Sequence, residues 1–242
     1  MINIQSELEK IDVVILCGGL GTRLREISPD MPKALMPFAG RPFIDILIES
    51  LLPFGFKRFI LCVGHLREKI RENFQEREYE VVFSEEEEPL GTGGALKNAA
   101  SMITGSLFLV MNGDSICPVD FSRFHSFHLQ KGGIVSIVLA EPQPGQEYGT
   151  IVVDENQRVI SFREKKECQE NMFVNGGIYL MKRDVFECMP ETARFSLENN
   201  FFPKILSEGC YGFRTNAQVI DIGTPERYLR ALQRLSIRDS RK

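Results

Sequence analysis

No stretch of the 242-residue chain approaches the roughly 20 consecutive apolar residues that a membrane-spanning helix requires, so a bilayer-spanning protein is not expected. The first residues, MINIQSELEKID, carry acidic side chains and no apolar signal core, so secretion is not expected either. A basic excess is also missing. The 29 Lys and Arg stand against 33 Asp and Glu, a net charge of −4. That balance argues against a general nucleic-acid binder but leaves room for a small cationic cluster that holds a polyphosphate. Cysteines are few and unpatterned: none of Cys17, Cys62, Cys117, Cys168, Cys188 and Cys210 forms a C-x-x-C pair. Cys17 and Cys62 sit inside apolar, strand-like runs, so reduced thiols in a cytoplasmic protein are expected rather than a disulfide frame or a zinc site. Linkers, low-complexity segments and internal repeats are absent too, and the length suits one α/β domain spanning 1–242.

What is present alternates. VVILC (13–17) is a continuous apolar run rich in β-branched residues, as a strand buried on both faces should be. Pro42 can open a helix in which Ile44, Leu47, Ile48 and Leu51 fall on one face, with Pro53 and Gly55 ending it. A second buried strand follows at 58–63 and a helix at 66–74. A strand at 81–83 leads into a loop over 84–94 and a helix over 95–102. The run LFLVMN (107–112) is a strand that meets Gly113-Asp114 directly, before a helix around 120–130 and a strand at 134–140. This order predicts a largely parallel, twisted sheet with helices on both faces. After 141 the pattern changes to a turn-rich insertion, a hairpin (GTIVVD and RVISFRE), a strand at 173–181 around a glycine pair, and a last helix from Pro225 to about Ser236. The first half, about 12–140, reads as the ligand-holding half, and 141–236 as an elaboration that receives a second substrate.

The glycines after the first strand are the most informative feature. Gly18, Gly19 and Gly21 would let a ligand approach the backbone closely, and successive backbone N–H groups there can form a nest for anions. The dinucleotide pattern G-x-G-x-x-G fails, because Leu24 takes the third glycine position, and the Walker pattern fails as well. Arg23 and Lys33 flank the loop at the carboxyl end of a strand, where open α/β sheets bind ligands. Asp114 ends a strand after Asn112-Gly113, and Asp221 precedes Ile222-Gly223. Taken singly, such an Asp is a turn former. Together on one crevice, the two carboxylates could hold a divalent cation.

Seven segments in order turn these observations into a resemblance: CGGLGTRL (17–24) with PKALMP (32–37), PLGTGG (89–94), NGD (112–114), Tyr148-Gly149, Glu164-Lys165, NGG (175–177) and DIGTP (221–225). The chain resembles the sugar-1-phosphate nucleotidyltransferases, or NDP-sugar pyrophosphorylases, from about residue 12 to 236. The resemblance implies a Rossmann-like three-layer α/β fold with a mostly parallel mixed sheet and a smaller β-rich sugar-binding elaboration. It implies a nucleoside triphosphate and a sugar 1-phosphate as substrates, pyrophosphate as product, and Mg2+ on Asp114 and Asp221. Arg23 and Lys33 are then expected on the triphosphate, and Lys165 on the sugar phosphate. Leu16, Gly18, Gly19, Gly21, Thr22, Gly91, Thr92 and Gly113 are expected around the nucleotide. Tyr148, Gly149, Glu164, Asn175 and Gly176 are expected around the sugar. Both reactants are anions, so the chemistry needs positioning and charge neutralisation. An ionised phosphate nucleophile needs no general base.

Base and sugar follow from finer likeness. Guanine offers a ring N–H and an amino group side by side, and Glu88, in the acidic run Glu85–Glu88, or a backbone carbonyl near it, could accept both. The stretches PLGTGGALKNA, YGTIVVDENQRVISFREK, NGGIYLMKRDVF and IDIGTPERY are similar to enzymes that transfer GMP from GTP to a heptose 1-phosphate. Mannose-1-phosphate guanylyltransferases and muramic-type uridylyltransferases share much of the pattern. A monomer or small homo-oligomer in the cytoplasm is expected, without nucleic-acid or membrane partners. His125 and His128, three apart on a helix, read as surface or packing residues rather than metal ligands. A non-catalytic relative that only binds nucleotide or sugar phosphate is the competing class; it would be expected to lack one of Arg23, Lys33, Asp114, Lys165 or Asp221, and all five are present.

Overall fold

Val13, Val14 and Ile15 are all fully buried, although neighbouring strand residues point to opposite faces. The strand therefore has a core on each side. Val13 and Ile15 belong to one hydrophobic cluster and Val14 to the other. The computed structural model describes residues 4–19, 24, 27–28, 30–75, 77–142, 149–163 and 172–239. In chain order its elements are α1 (Ile4–Leu8), β1 (Asp12–Leu16), the small ribbon β2 (Pro37–Phe38) and β3 (Arg41–Pro42), α2 (Phe43–Glu49), β4 (Arg58–Val63), α3 (Arg67–Asn73), β5 (Glu80–Glu85), α4 (Gly91–Asn98), β6 (Leu107–Asn112), β7 (Ser115–Ile116), α5 (Phe121–Lys131), β8 (Val135–Ala140), β9 (Thr150–Val153), β10 (Val159–Arg163), β11 (Met172–Lys182), β12 (Cys210–Arg214), β13 (Ile220–Asp221) and α6 (Pro225–Asp239).

The centre of the sheet is parallel: β1 pairs with β4 and β6, and β4 with β5. The long β11 runs antiparallel to β6, β8 and β9, and so joins the second half of the chain to the same nine-stranded sheet. Helices α2 and α5 pack on one face and α4 on the other, beside the segment Phe195–Ile205. The architecture is the mixed, mostly parallel three-layer sheet expected. The hairpin forms as β9–β10, and the helix expected around 120–130 forms as α5. Asp120 caps it by accepting the Arg123 N–H at 3.0 Å, and Gly132 ends it at φ 69°.

Two expectations change. Residues 84–94 are not all loop, because β5 runs on to Glu85 and the glycines Gly91–Gly94 form the first turn of α4 rather than preceding it. Glycine is a poor helix former, so a tertiary contact must compensate. The segment 193–195 crosses that turn closely enough that a Cβ on Gly94 would sit 2.1 Å from the Ala193 carbonyl oxygen. The Phe195 carbonyl accepts the Gly93 and Gly94 N–H groups at 3.0 and 3.2 Å. The second change is an unforeseen strand, β12, whose sequence CYGFR has little of the β-branched pattern; it pairs in parallel with β8.

Candidate functional site

The parallel strands end on one cleft of about 460 Å³, lined by residues from six parts of the chain. Leu16, Cys17, Gly18 and Gly19 leave the end of β1, and Gly113 and Asp114 leave the end of β6. The two ends are tied by the Gly113 N–H, which donates to the Leu16 carbonyl at 2.9 Å, while Cys17 N–H donates to Cys62 at 3.0 Å. Gly91 and Thr92 come from the first turn of α4, Lys33 from a short helical turn after Pro32, Asp221 from the end of β13, and Gly223 from just beyond it.

The acidic pair is held by a short ribbon. β13 pairs with β7 so that Asp221 faces Ser115, the neighbour of Asp114. The Ile222 N–H donates to the Asp114 carbonyl at 3.0 Å. Each carboxylate then has a cation. Lys33 Nζ lies 2.5 Å from Asp114 Oδ2, and Arg227 Nη1 lies 2.6 Å from Asp221 Oδ2. Asp221 Oδ1 also accepts the Gly223 N–H. A Cβ on Gly223 would sit 2.7 Å from Asp221 Oδ1 and 3.1 Å from Lys33 Nζ. Lys33, which holds Asp114, and the Asp221 carboxylate therefore meet around Gly223, where a side chain would crowd both. Two carboxylates sharing a cleft wall are hard oxygen donors of the kind that Mg2+ takes alongside phosphate oxygens.

The end of the cleft beside Gly18 holds a buried carboxylate. Glu86 is 7% exposed. Its backbone N–H extends the sheet to Val63 at 2.8 Å, and its Oε2 accepts the Leu90 N–H at 3.1 Å. Burial pushes its carboxyl pKa up, and the Leu90 N–H partly opposes that rise. A Cβ on Gly18 would lie 2.7 Å from Glu86 Oε1, so only glycine lets the β1 loop and this carboxylate share the space.

Of the expected nucleotide residues, Leu16, Gly18, Gly19, Gly91, Thr92 and Gly113 line this cleft together with Lys33, Asp114 and Asp221. The expectation for Glu88 moves by two positions. Glu88 is exposed and lines an adjoining cavity of about 420 Å³ with Gly64 to Glu68, whereas Glu86 lies on both cavities. Glu86 directly follows β5 with its N–H still bonded to Val63, so it keeps the inward alternation of Ser84, whereas the exposed Glu88 lies beyond the end of the strand. Gly149, Asn175 and Gly176 do not line the main cleft. The Asn175 amide turns instead to the Tyr179 hydroxyl at 2.9 Å and to the Gly177 N–H at 3.0 Å. Gly21, Thr22, Arg23, Tyr148, Glu164 and Lys165 lie outside the described residues.

Sequence reasoning missed Glu86, Arg194 and Arg227, all of which line the cleft. A signal existed for Arg227. A cation in the first turn of α6, two residues after Pro225, opposes the helix dipole and so asks for an outside acceptor, here Asp221. Arg194 belongs to an irregular segment and carries no local signal. His125 and His128 are buried within α5, with His128 Nδ1 2.8 Å from Ser136 Oγ; they are packing residues, as expected. Cys17, Cys62, Cys117 and Cys210 are free and buried, and Cys188 is free and exposed.

The comparisons with known proteins agree with this geometry. The nucleotidyl transferase family matches over residues 12–237. D-glycero-alpha-D-manno-heptose 1-phosphate guanylyltransferase of Aneurinibacillus thermoaerophilus is 34% identical over 228 residues, covering 93% of this chain and 98% of that enzyme. The crystal structure of HddC from Yersinia pseudotuberculosis superposes with a TM-score of 0.81 at 37% identity, over 93% of this chain and 99% of HddC. A second crystal structure, of HddC complexed with GMP-PN, superposes with a TM-score of 0.80 at 35% identity and the same coverage.

Proposed function

The chain belongs to the nucleotidyl transferase family, and from that premise we propose that it transfers GMP from GTP to D-glycero-α-D-manno-heptose 1-phosphate, giving GDP-heptose and pyrophosphate. The observation that carries the chemistry is the convergence of Gly18, Gly19, Lys33, Asp114 and Asp221 on one cleft. Likeness over nearly the full length of both chains to a heptose 1-phosphate guanylyltransferase narrows the base and the sugar.

The reaction joins two anions. An oxygen of the sugar phosphate attacks the α-phosphorus of GTP, a new P–O bond forms, and the bond to the β-phosphate oxygen breaks to release pyrophosphate. The nucleophile is already ionised, so the protein's task is to bring the anions together and neutralise them. Gly18 and Gly19 leave the β1 loop without side chains where the nucleotide lies. Glu86 is placed to accept the ring N–H and amino group of guanine, two donors that a carboxylate can satisfy at once. Lys33, Arg194 and Arg227 supply positive charge along the cleft wall. Lys33 is a mobile point charge that can move from Asp114 to a phosphate oxygen, while Arg227 holds Asp221 in place. Asp114 and Asp221 are the residues that would hold Mg2+; the ion would supply further neutralisation of the phosphates. Arg23 on the triphosphate, Lys165 on the sugar phosphate, and Tyr148 and Glu164 around the sugar complete the proposal by family resemblance. A product of this kind fits a cytoplasmic supply of donor for surface glycans. Among the described residues no helix is long and apolar enough to cross a membrane.

A matrix of four nucleoside triphosphates against heptose, mannose, glucose and muramic-type 1-phosphates, read by pyrophosphate release with Mg2+, tests the proposal. The expected maximum of kcat/KM is GTP with heptose 1-phosphate. A maximum with mannose 1-phosphate would reassign the sugar. Tight binding without turnover across the matrix would replace the transferase with a binding protein.

A further inference from the structure

Glu198 lies outside the main cleft yet receives side chains from both of its sides. It sits in the helical turn Leu197–Phe201. Its Oε2 accepts from Thr92 Oγ1 at 2.8 Å and from Ser196 Oγ at 2.7 Å. Its Oε1 lies 3.3 Å from the Tyr179 hydroxyl. Thr92 lines the nucleotide cleft. Tyr179 is fully buried in β11 and touches Asn175, a residue that the family resemblance puts beside the sugar.

The polarity of this chain of contacts is determined at every link. The Thr92 hydroxyl already accepts the Leu197 N–H at 2.9 Å, and the Ser196 hydroxyl accepts the Asn199 N–H at 3.2 Å. Both hydroxyls therefore give their own proton to Glu198 Oε2. An ionised carboxylate only accepts, so Tyr179 donates to Oε1. Burial pushes the Tyr179 pKa well above its ordinary value, which keeps the proton on the phenol. With that proton committed, the phenol oxygen accepts from Asn175 Nδ2. Asn175 Oδ1 is then left facing the Gly177 N–H, which donates to it at 3.0 Å. Gly177 itself, at φ 69°, lies against the cleft wall: a Cβ there would sit 3.0 Å from Asn112 Nδ2.

We propose that Glu198 is a positioning residue. Acting through the Tyr179 hydroxyl, its negative charge dictates which way the Asn175 amide faces, and with it the donor and acceptor that Asn175 presents to the sugar 1-phosphate. This inference rests on the proposed function for the identity of the substrate, but the relay itself does not.

Glu198→Gln separates charge from shape, because the side chains are isosteric. The two pinned hydroxyls hold the new carbonyl oxygen at the Oε2 position, so the new NH2 faces Tyr179. Tyr179 must then accept from residue 198, and the Asn175 NH2 can no longer be accommodated as before. Turning the amide would set NH2 against the Gly177 N–H. Amide hydrogen exchange at Gly177, followed by NMR, reads this without any turnover. We expect exchange about tenfold faster in E198Q, as suits loss of one hydrogen bond. Tyr179→Phe breaks the relay one link further on and should give a similar change, while E198Q adds little in the Y179F background. Ser196→Ala, which touches Glu198 but not the relay, should leave Gly177 unchanged. In turnover, E198Q should raise KM for the sugar 1-phosphate about tenfold. Binding of a non-hydrolysable GTP analogue should stay within about threefold, since Leu197 still holds Thr92. Wild-type Gly177 exchange in both E198Q and Y179F overturns the relay. A Gly177 effect with an unchanged KM overturns its role toward the sugar. An inactive wild-type protein counts against the proposed function, and the exchange data alone then decide the relay.

Discussion

Lys33 Nζ and Asp114 Oδ2 are 2.5 Å apart on the wall of the cleft, so the cation expected to meet phosphate is paired with a carboxylate expected to hold a metal ion. The pair is unequal in exposure, with side chains 19% and 40% accessible. Water reaches it, which limits its worth to folding and leaves Lys33 free to change partner. Asp114→Asn should lower kcat on the order of 10²–10³, the usual cost of removing one preorganised charge, with little change in the thermal midpoint. It should also raise the Mg2+ concentration needed for half-maximal pyrophosphate release. A variant that keeps its rate within threefold and its metal dependence unaltered would remove Asp114 from the machinery.

Glu86 tests the reading of the base. Gln at this position keeps the volume but offers one acceptor and one donor where guanine presents two donors. The mismatch should cost about 1–3 kcal/mol, or 10–100-fold in kcat/KM for GTP. The same donor–acceptor pair suits the N–H and carbonyl edge of uracil, so the preference for GTP over UTP should narrow. Kinetics with both nucleotides at saturating sugar phosphate measure the ratio. If E86Q discriminates as the wild type does, the base is read by other groups.

The split between what was and was not legible in the sequence follows from where the information resides. Buried parallel strands such as β1, β4 and β6 show as unbroken apolar runs because both faces are covered, and they fell within a residue or two of expectation. Lys33, Asp114 and Asp221 stood out because they break rules of local structure, an ion among prolines or beside glycine at a strand end. Glu86 did not, because four consecutive glutamates read as a solvated face, and only its register with Ser84 on β5 turns it inward. Arg194 and Glu198 take their meaning from a segment that crosses α4 about a hundred residues away in sequence, and no local pattern encodes that crossing.

Glycines at the site divide into two kinds that substitution should separate. A Cβ on Gly93 would lie 2.2 Å from Phe195 Cε2, whereas a Cβ on Gly19 meets nothing within 4 Å. Gly93→Ala forces a buried ring to move and should destabilise the fold by about 1–3 kcal/mol, seen as a lower midpoint in thermal or urea unfolding. Gly19→Ala should unfold as the wild type does. Its new methyl group instead occupies space left for the nucleotide, so KM for GTP should rise about tenfold or more. Equal stability for the two variants, or normal GTP use by G19A, would contradict this division.

His128 gives the fold an acid limit. Its ring is fully buried, with Nδ1 2.8 Å from Ser136 Oγ. Burial, reinforced by Lys182 and His125, takes its pKa down from the ordinary 6.5 to about 4. The unfolded chain binds the proton more readily than the folded one, so His128 contributes full stability above about pH 6.5 and loses it progressively as pH falls towards 4. At about 1.4 kcal/mol per pKa unit, the loss at the acid end is of the order of 3 kcal/mol. The same ring faces His125, whose pKa is also lowered by burial and which is partly relieved by Glu7; His125 adds to the loss in the same direction. Asp12 has a lowered pKa too, from its hydrogen bonds with Thr104 and Arg58, which outweigh burial; its contribution is lost only at more acid pH, below the ordinary carboxylate range of about 4. Thermal midpoints measured from pH 7.5 to 4.5 should therefore fall, and His128→Gln, which can keep the contact with Ser136 but cannot titrate, should flatten the curve between pH 6.5 and 4.5. A variant with the wild-type slope would show that His128 titrates normally in the folded protein.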